Sequence, residues 1–99
     1  MTNVDPDVMA AVKRKLNVTW ADESTDLRIT DVVETISPRL SSLLGFESGH
    51  VFSPADGASF GLFLNACLYE YSDAWDDFVL NYEREIQSER LLNVGSVNA

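Results

Sequence analysis

Between residues 60 and 86 the large apolar side chains fall at Phe60, Phe63, Leu64, Cys67, Leu68, Tyr71, Trp75, Phe78, Val79, Tyr82 and Ile86. These are helical steps, sustained for about seven turns. A strand alternates with period two and would scatter the same residues over both faces of a sheet. The pattern therefore restricts the chain to a helical fold in which eleven side chains turn inward together. Ser72 and Asp73, followed by Asp76 and Asp77, are capping residues inside this stretch. Two arrangements fit: one continuous rod, or a break or sharp bend near residues 72–75. Leu62, Tyr69 and Leu80 project opposite the stripe, where a monomer would prefer polar residues.

The first half reads as two further helices. Asp5 caps and Pro6 opens a short helix over about 6–16, with Val8, Met9, Val12 and Leu16 on one face. Its basic end, Lys13-Arg14-Lys15, suits the negative pole of the helix dipole. The stretch ADESTD supplies caps for a long second helix carrying Ile29, Val32, Val33, Ile36, Leu40, Leu43 and Leu44 as a narrow stripe. Pro38 lies inside that stripe, so a kink is expected there, and Gly45 is the natural stop. Residues 46–57, FESGHVFSPADG, form the longest loop; Ser53-Pro54 can open a single helical turn, and a short strand pair near Val51 is a weaker option. The expected fold is all-α: a small four-helix bundle made of a short helix, a long kinked helix, an aromatic-rich helix and a C-terminal helix. It forms one domain over 1–99, with an ordered core of about 5–92 and a fraying tail at 93–99.

Composition narrows the function classes. With 45% hydrophobic and 23% charged residues the chain belongs with ordinary globular domains. A net charge of -9, from 16 acids against 7 Lys and Arg, argues against sequence-specific nucleic-acid binding, which needs clustered cations. No stretch has the ~18 consecutive apolar residues that crossing a membrane requires, and the acidic start MTNVDPDV does not resemble a signal peptide. A lone Cys67 excludes an internal disulfide and a multi-cysteine zinc site.

No constellation of catalytic residues stands out, and the expectation is a protein that is not an enzyme and holds no cofactor or metal. Glu70, Asp73 and Asp77 share one helix flank, a spacing that can offer oxygens to a hard cation. The Glu-x-x-His pairs of carboxylate-bridged metal bundles are absent, so these three read as an acidic surface or channel face. Cys67 lies within the apolar stripe, where cysteine behaves as a small hydrophobe, and His50 sits in a glycine-flanked loop. What remains is a contact surface, with Trp20, Leu62, Tyr69 and Leu80 as the candidate subunit or partner interface.

The run VKRKLNVTWADESTDLRITDVVETISPRLSSLLGF resembles the opening of the small head-to-tail connector proteins of tailed bacteriophages, also called adaptor or neck proteins. The resemblance lies in a short helix ending in the triplet Leu16-Asn17-Val18, an acidic loop at Asp22-Glu23, and a long Ile/Val/Leu helix stopping at glycine. The second half, LFLNACLYEYSDAWDDFVLNYEREIQSER, is similar to the closing helices of that family, with Leu64, Leu68 and Tyr71 at core positions and Tyr69-Glu70 as the aromatic-acid pair. It covers about residues 8–90; the tail beyond Leu92 is short, which would reduce any terminal arm reaching a neighbouring ring. The resemblance implies a structural virion component at the head-tail junction, made in the host bacterial cytoplasm. Its implied partners are further copies in a homo-oligomeric, dodecamer-like ring, the portal protein, and the next neck or tail component. Neither a membrane nor a specific nucleic-acid sequence is among them. Taken without the resemblance, the residues also suit a small acidic cytoplasmic helical module that binds another protein, of a regulatory or DNA-mimic type.

Overall fold

A computed structural model describes residues 5–18, 23–47 and 49–97. The chain is all-α, with α1 at Pro6–Lys15, α2 at Glu23–Leu44, α3 at Ala58–Tyr71, α4 at Trp75–Asn81 and α5 at Glu83–Val97. A single 3-10 turn, Pro54–Asp56, precedes α3. Five helices replace the expected four, and no strand occurs among the described residues. The strand pair near Val51 is absent because aromatic stacking and side-chain hydrogen bonds organise that loop instead. His50 stacks on Phe46 with ring centroids 3.9 Å apart, Phe52 meets both rings edge-on, and Asp56 Oδ2 binds His50 Nε2 and the Ser53 amide at 3.0 Å each.

Three helices end on the same device, a residue in left-handed conformation followed by a six-to-one hydrogen bond. Asn17 (φ 60°) ends α1, with the Val18 amide donating to the Lys13 carbonyl. Gly45 (φ 77°) ends α2, with Phe46 donating to Ser41. Asp73 (φ 58°) ends α3, with Ala74 donating to Tyr69 at 2.7 Å. The last of these is the break near 72–75, and it turns α4 out of line with α3. A second interruption at Tyr82, where the sequence gives no glycine or proline, separates α4 from α5. By contrast α2 runs through Pro38 as one helix, Ser37 Oγ donating to the Val33 carbonyl at 2.7 Å.

Alpha helices 1 and 2 bury most of the residues their periodicities select, Val8 and Val12 from α1 and Ile29, Val32, Val33, Ile36, Leu40 and Leu44 from α2, while Met9, Leu16 and Leu43 are half-buried. Ala11, Val18, Phe52, Phe60, Leu62, Phe63, Ala66, Cys67, Phe78 and Ile86 complete the core. None of the eleven residues of the 60–86 stripe is exposed, although Leu64, Leu68, Tyr71, Trp75, Val79 and Tyr82 are only half-buried. The helix α3 is central, touching α1, α2, the 3-10 turn, α4 and α5. Its buried residues, Ser59, Phe60, Leu62, Phe63, Ala66 and Cys67, accordingly spread over more than one face. At the C-terminal side α5 runs to Val97. Asn93 Nδ2 donates to the Leu44 carbonyl at 2.8 Å and Val94 lies against Gly45, which ties the end of α5 to the end of α2.

Candidate interaction surface

The four residues proposed as an interface part company in the fold. Trp20, like Asp22 of the acidic loop, lies outside the described residues. Leu62 is a core residue, 6% exposed. Its assignment to an outer face is corrected, because a wheel drawn for one continuous rod leaves that side open, whereas α5 folds back beside α3 in the real chain. Tyr69 is half-buried, its ring 5.8 Å from Phe78 and 5.9 Å from Tyr82, and its hydroxyl accepts a hydrogen bond from Asn81 Nδ2 at 3.3 Å. It staples α3 to α4. Among the three that are described, Leu80 is the one open to solvent, 73% exposed.

The apolar surface that periodicity missed lies mainly on α5. Leu91 is 74% exposed and Leu92 64%, with Leu27 and Val51 exposed elsewhere. The adjacent leucines of Arg90-Leu91-Leu92 carry a signal in the sequence: once Ile86 has turned inward, neither falls on its face.

The acidic flank is a corner between α3 and α4, where Glu70, Asp73, Ala74, Trp75, Asp76 and Asp77 border a shallow depression. Glu70 is drawn inward by Arg39 (3.6 Å), whose guanidinium also lies 5.6 Å from the Trp75 ring centre. Asp73 and Asp77 face solvent. Among the described residues no group of three or more His, Cys, Asp or Glu side chains is placed to hold a metal ion.

Basic residues are largely consumed inside the fold. Lys13 pairs with Asp26 at 2.6 Å. Arg28 donates to the Tyr71 carbonyl (3.0 Å) with its guanidinium 4.4 Å from the Tyr71 ring centre, closing the end of α3. Arg90 Nη1 donates to the carbonyls of Ser42 (2.9 Å) and Leu43 (3.3 Å), closing the end of α2. Each guanidinium meets the negative pole of a helix that has no cation in its own last turn.

The groups with nucleophilic potential are committed elsewhere. Cys67 is fully buried, and burial, followed by the charge of Glu70, pushes its thiol up to about 12. A protonated, enclosed thiol is a poor nucleophile. His50 is held by Asp56 and the Phe46 stack.

A separate cavity of about 270 Å³ opens between the start of α1, the middle of α2 and the 49–52 loop. Its walls are mainly Val8, Val33, Pro38, Val51, Phe52 and Phe63, with Asp5 and Glu34 also lining it. No helix among the described residues is long and apolar enough to cross a membrane. Comparison with known proteins finds no matching family model, no matching curated protein and no matching solved structure.

Proposed function

We propose that this chain is a structural neck protein of a tailed bacteriophage, forming a ring beneath the portal that joins head to tail and extends the DNA channel. The observation that carries the reading is the set of large aliphatic side chains left outside a filled core on the C-terminal arm, Leu80, Leu91 and Leu92. Burying each against a neighbour is worth about 2 kcal/mol, a driving force for assembly that a monomer leaves unused. The reading also draws on the order of elements, a short helix ending at Asn17-Val18, a long helix ended by Gly45 and an aromatic-rich closing half. In this reading Asp73 and Asp77 belong to a negatively charged wall or outer face that does not retain the DNA backbone.

The test pairs native mass spectrometry across a concentration series with co-sedimentation on portal rings. The wild type should form a closed ring alone or on the portal template. The double substitution Leu91→Asp, Leu92→Asp should leave the melting temperature nearly unchanged, as exposed sites do, and abolish the association. Absence of portal binding, together with tight capture of a DNA-binding protein, would replace this reading with that of an acidic DNA-mimic module.

A further inference from the structure

Two exposed surfaces carry the same order of chemical groups at the same helical pitch. The first is a groove between α1 and the start of α3. Ala10, Ala11, Phe60 and Leu64 give it an apolar floor, with Asp7 at one end of its α1 wall and Arg14 and Lys15 at the other. The five α1 residues fall at helical spacing and share one face. The second surface is a ridge on α4 and the first turn of α5. There the exposed acids Asp76 and Asp77 are followed by Leu80, 73% exposed, and then by exposed Arg84. Hydrogen bonds of helical spacing meet at Tyr82, whose amide donates to the Phe78 carbonyl and whose carbonyl accepts from the Ile86 amide, both at 2.9 Å. Arg84 therefore follows Leu80 by about one turn. Among the described residues none of Asp7, Arg14, Lys15, Asp76, Asp77 and Arg84 has an ion pair within the chain.

We infer that the ridge of one copy docks antiparallel in the groove of the next copy, with Leu80 seated on the apolar floor. Each surface reads acid, apolar, base along the chain. Antiparallel docking brings Asp76 and Asp77 to Arg14 and Lys15, and Arg84 to Asp7. Parallel docking would set like charges against each other at both ends, so the charges fix the direction of the contact. This match is what selects a second copy as the occupant: a partner for the groove must present an apolar side chain with acids one turn before it and a base one turn after, and the chain carries that pattern itself. The two surfaces do not overlap. Phe60 and Leu64 belong to the first half of α3, whereas α4 follows its last residue, and the 14 residues of α3 span about 20 Å. Every copy can thus give its ridge to one neighbour and its groove to another, a head-to-tail contact that closes into a ring when the rotation permits. The inference rests on the self-association in the ring reading above and names its seam. It shares Leu80 with that reading and uses neither Leu91 nor Leu92.

The experiment is sedimentation velocity with native mass spectrometry on three full-length variants, with the Leu91→Asp, Leu92→Asp protein alongside. One variant reverses the groove (Arg14→Glu, Lys15→Glu), one reverses the ridge (Asp76→Lys, Asp77→Lys), and one carries all four changes. Either reversal alone should weaken association about tenfold or more. The two reversed proteins mixed in equal amounts should assemble with each other, because every groove then meets a ridge of opposite charge. The fourfold variant should assemble by itself. Recovery on mixing cannot come from a protein that has failed to fold. Leu80→Ala should keep the wild-type melting temperature and associate about tenfold more weakly. Reversals that leave assembly intact, or losses that neither mixing nor the fourfold variant restores, would overturn the seam; the ring reading would survive that result where Leu91→Asp, Leu92→Asp still abolishes association. Charge-dependent assembly without binding to portal rings would uphold the seam and overturn the neck assignment. A wild type that stays monomeric at millimolar concentration, with and without portal rings, would overturn both.

Discussion

The three-helix body of α1, α2 and α3 and the arm of α4 and α5 are held by different forces. The body contributes nearly all of the buried side chains, and α3 meets every other helix. The arm contributes Phe78 and Ile86, and most of its outer attachment is polar: Ser59 Oγ donates to Glu89 Oε1 at 2.8 Å, and Arg90 and Asn93 reach the last carbonyls of α2. Apolar burial scales with area and makes the body cooperative. A few hydrogen bonds at partly solvated sites contribute about 1 kcal/mol each, so the arm opens at lower cost than the body unfolds. The same arm carries Leu80, Leu91 and Leu92, so the least firmly held part of the molecule also has the most apolar surface to offer.

That contrast can be broken from the body first. Phe63 is buried and lies between Phe52 and Phe60, with ring centroids at 5.0 and 5.7 Å. Phe63→Ala should cost about 3–5 kcal/mol in chemical denaturation and lower hydrogen-exchange protection across α1, α2 and α3 together. Loss of protection confined to α3 would mean that the body is not one cooperative unit.

A smaller effect should isolate the arm. At Gly45 the backbone is left-handed, and a Cβ there would lie 2.7 Å from Val94 Cγ2. Gly45→Ala should cost about 2 kcal/mol, from the strained φ and the displaced Val94. Hydrogen exchange should accelerate most over residues 86–97 while α1 keeps its protection. Uniform acceleration would erase the distinction between the two regions.

The smallest effect comes from alkaline pH and acts on the body. With its folded-state thiol raised to about 12 from an ordinary value of 9.0, Cys67 keeps its proton while the unfolded chain loses it. Its contribution to stability is therefore complete below about pH 9 and is lost as pH rises toward about 12, at about 1.4 kcal/mol per pH unit. The fall in stability between pH 9 and 10 should be smaller in Cys67→Ala than in the wild type, measured by urea denaturation, the remainder coming from groups such as Tyr82, whose hydroxyl burial also raises. An equal slope in both proteins would assign the effect to other groups.

Local signals made α1 and α2 legible in the sequence. Asp5 Oδ1 accepts from the Asp7 amide at 2.7 Å, Pro6 opens the helix, and Gly45 closes α2 where expected. The Ser53-Pro54 turn was legible for the same reason. What failed depended on partners distant in the chain. Leu62 looked exposed because the return of α5 is not written in its neighbours, and the arginines that close α2 and α3 lie 48 and 43 residues from the carbonyls they serve. Asp73 was ambiguous because an aspartate tolerates the left-handed conformation without announcing it as glycine does. The cavity was invisible for a similar reason, since it is assembled from α1, α2, α3 and a loop.

The internal use of arginine bears on how such molecules approach one another. Four of the seven cations, Lys13, Arg28, Arg39 and Arg90, are spent within the fold, and among the described residues Arg14, Lys15 and Arg84 carry no ion pair. With 16 acids over the whole chain, two copies in solution repel before they touch. Any joint between them gathers counterions from the medium, so dissolved salt becomes a component of the seam.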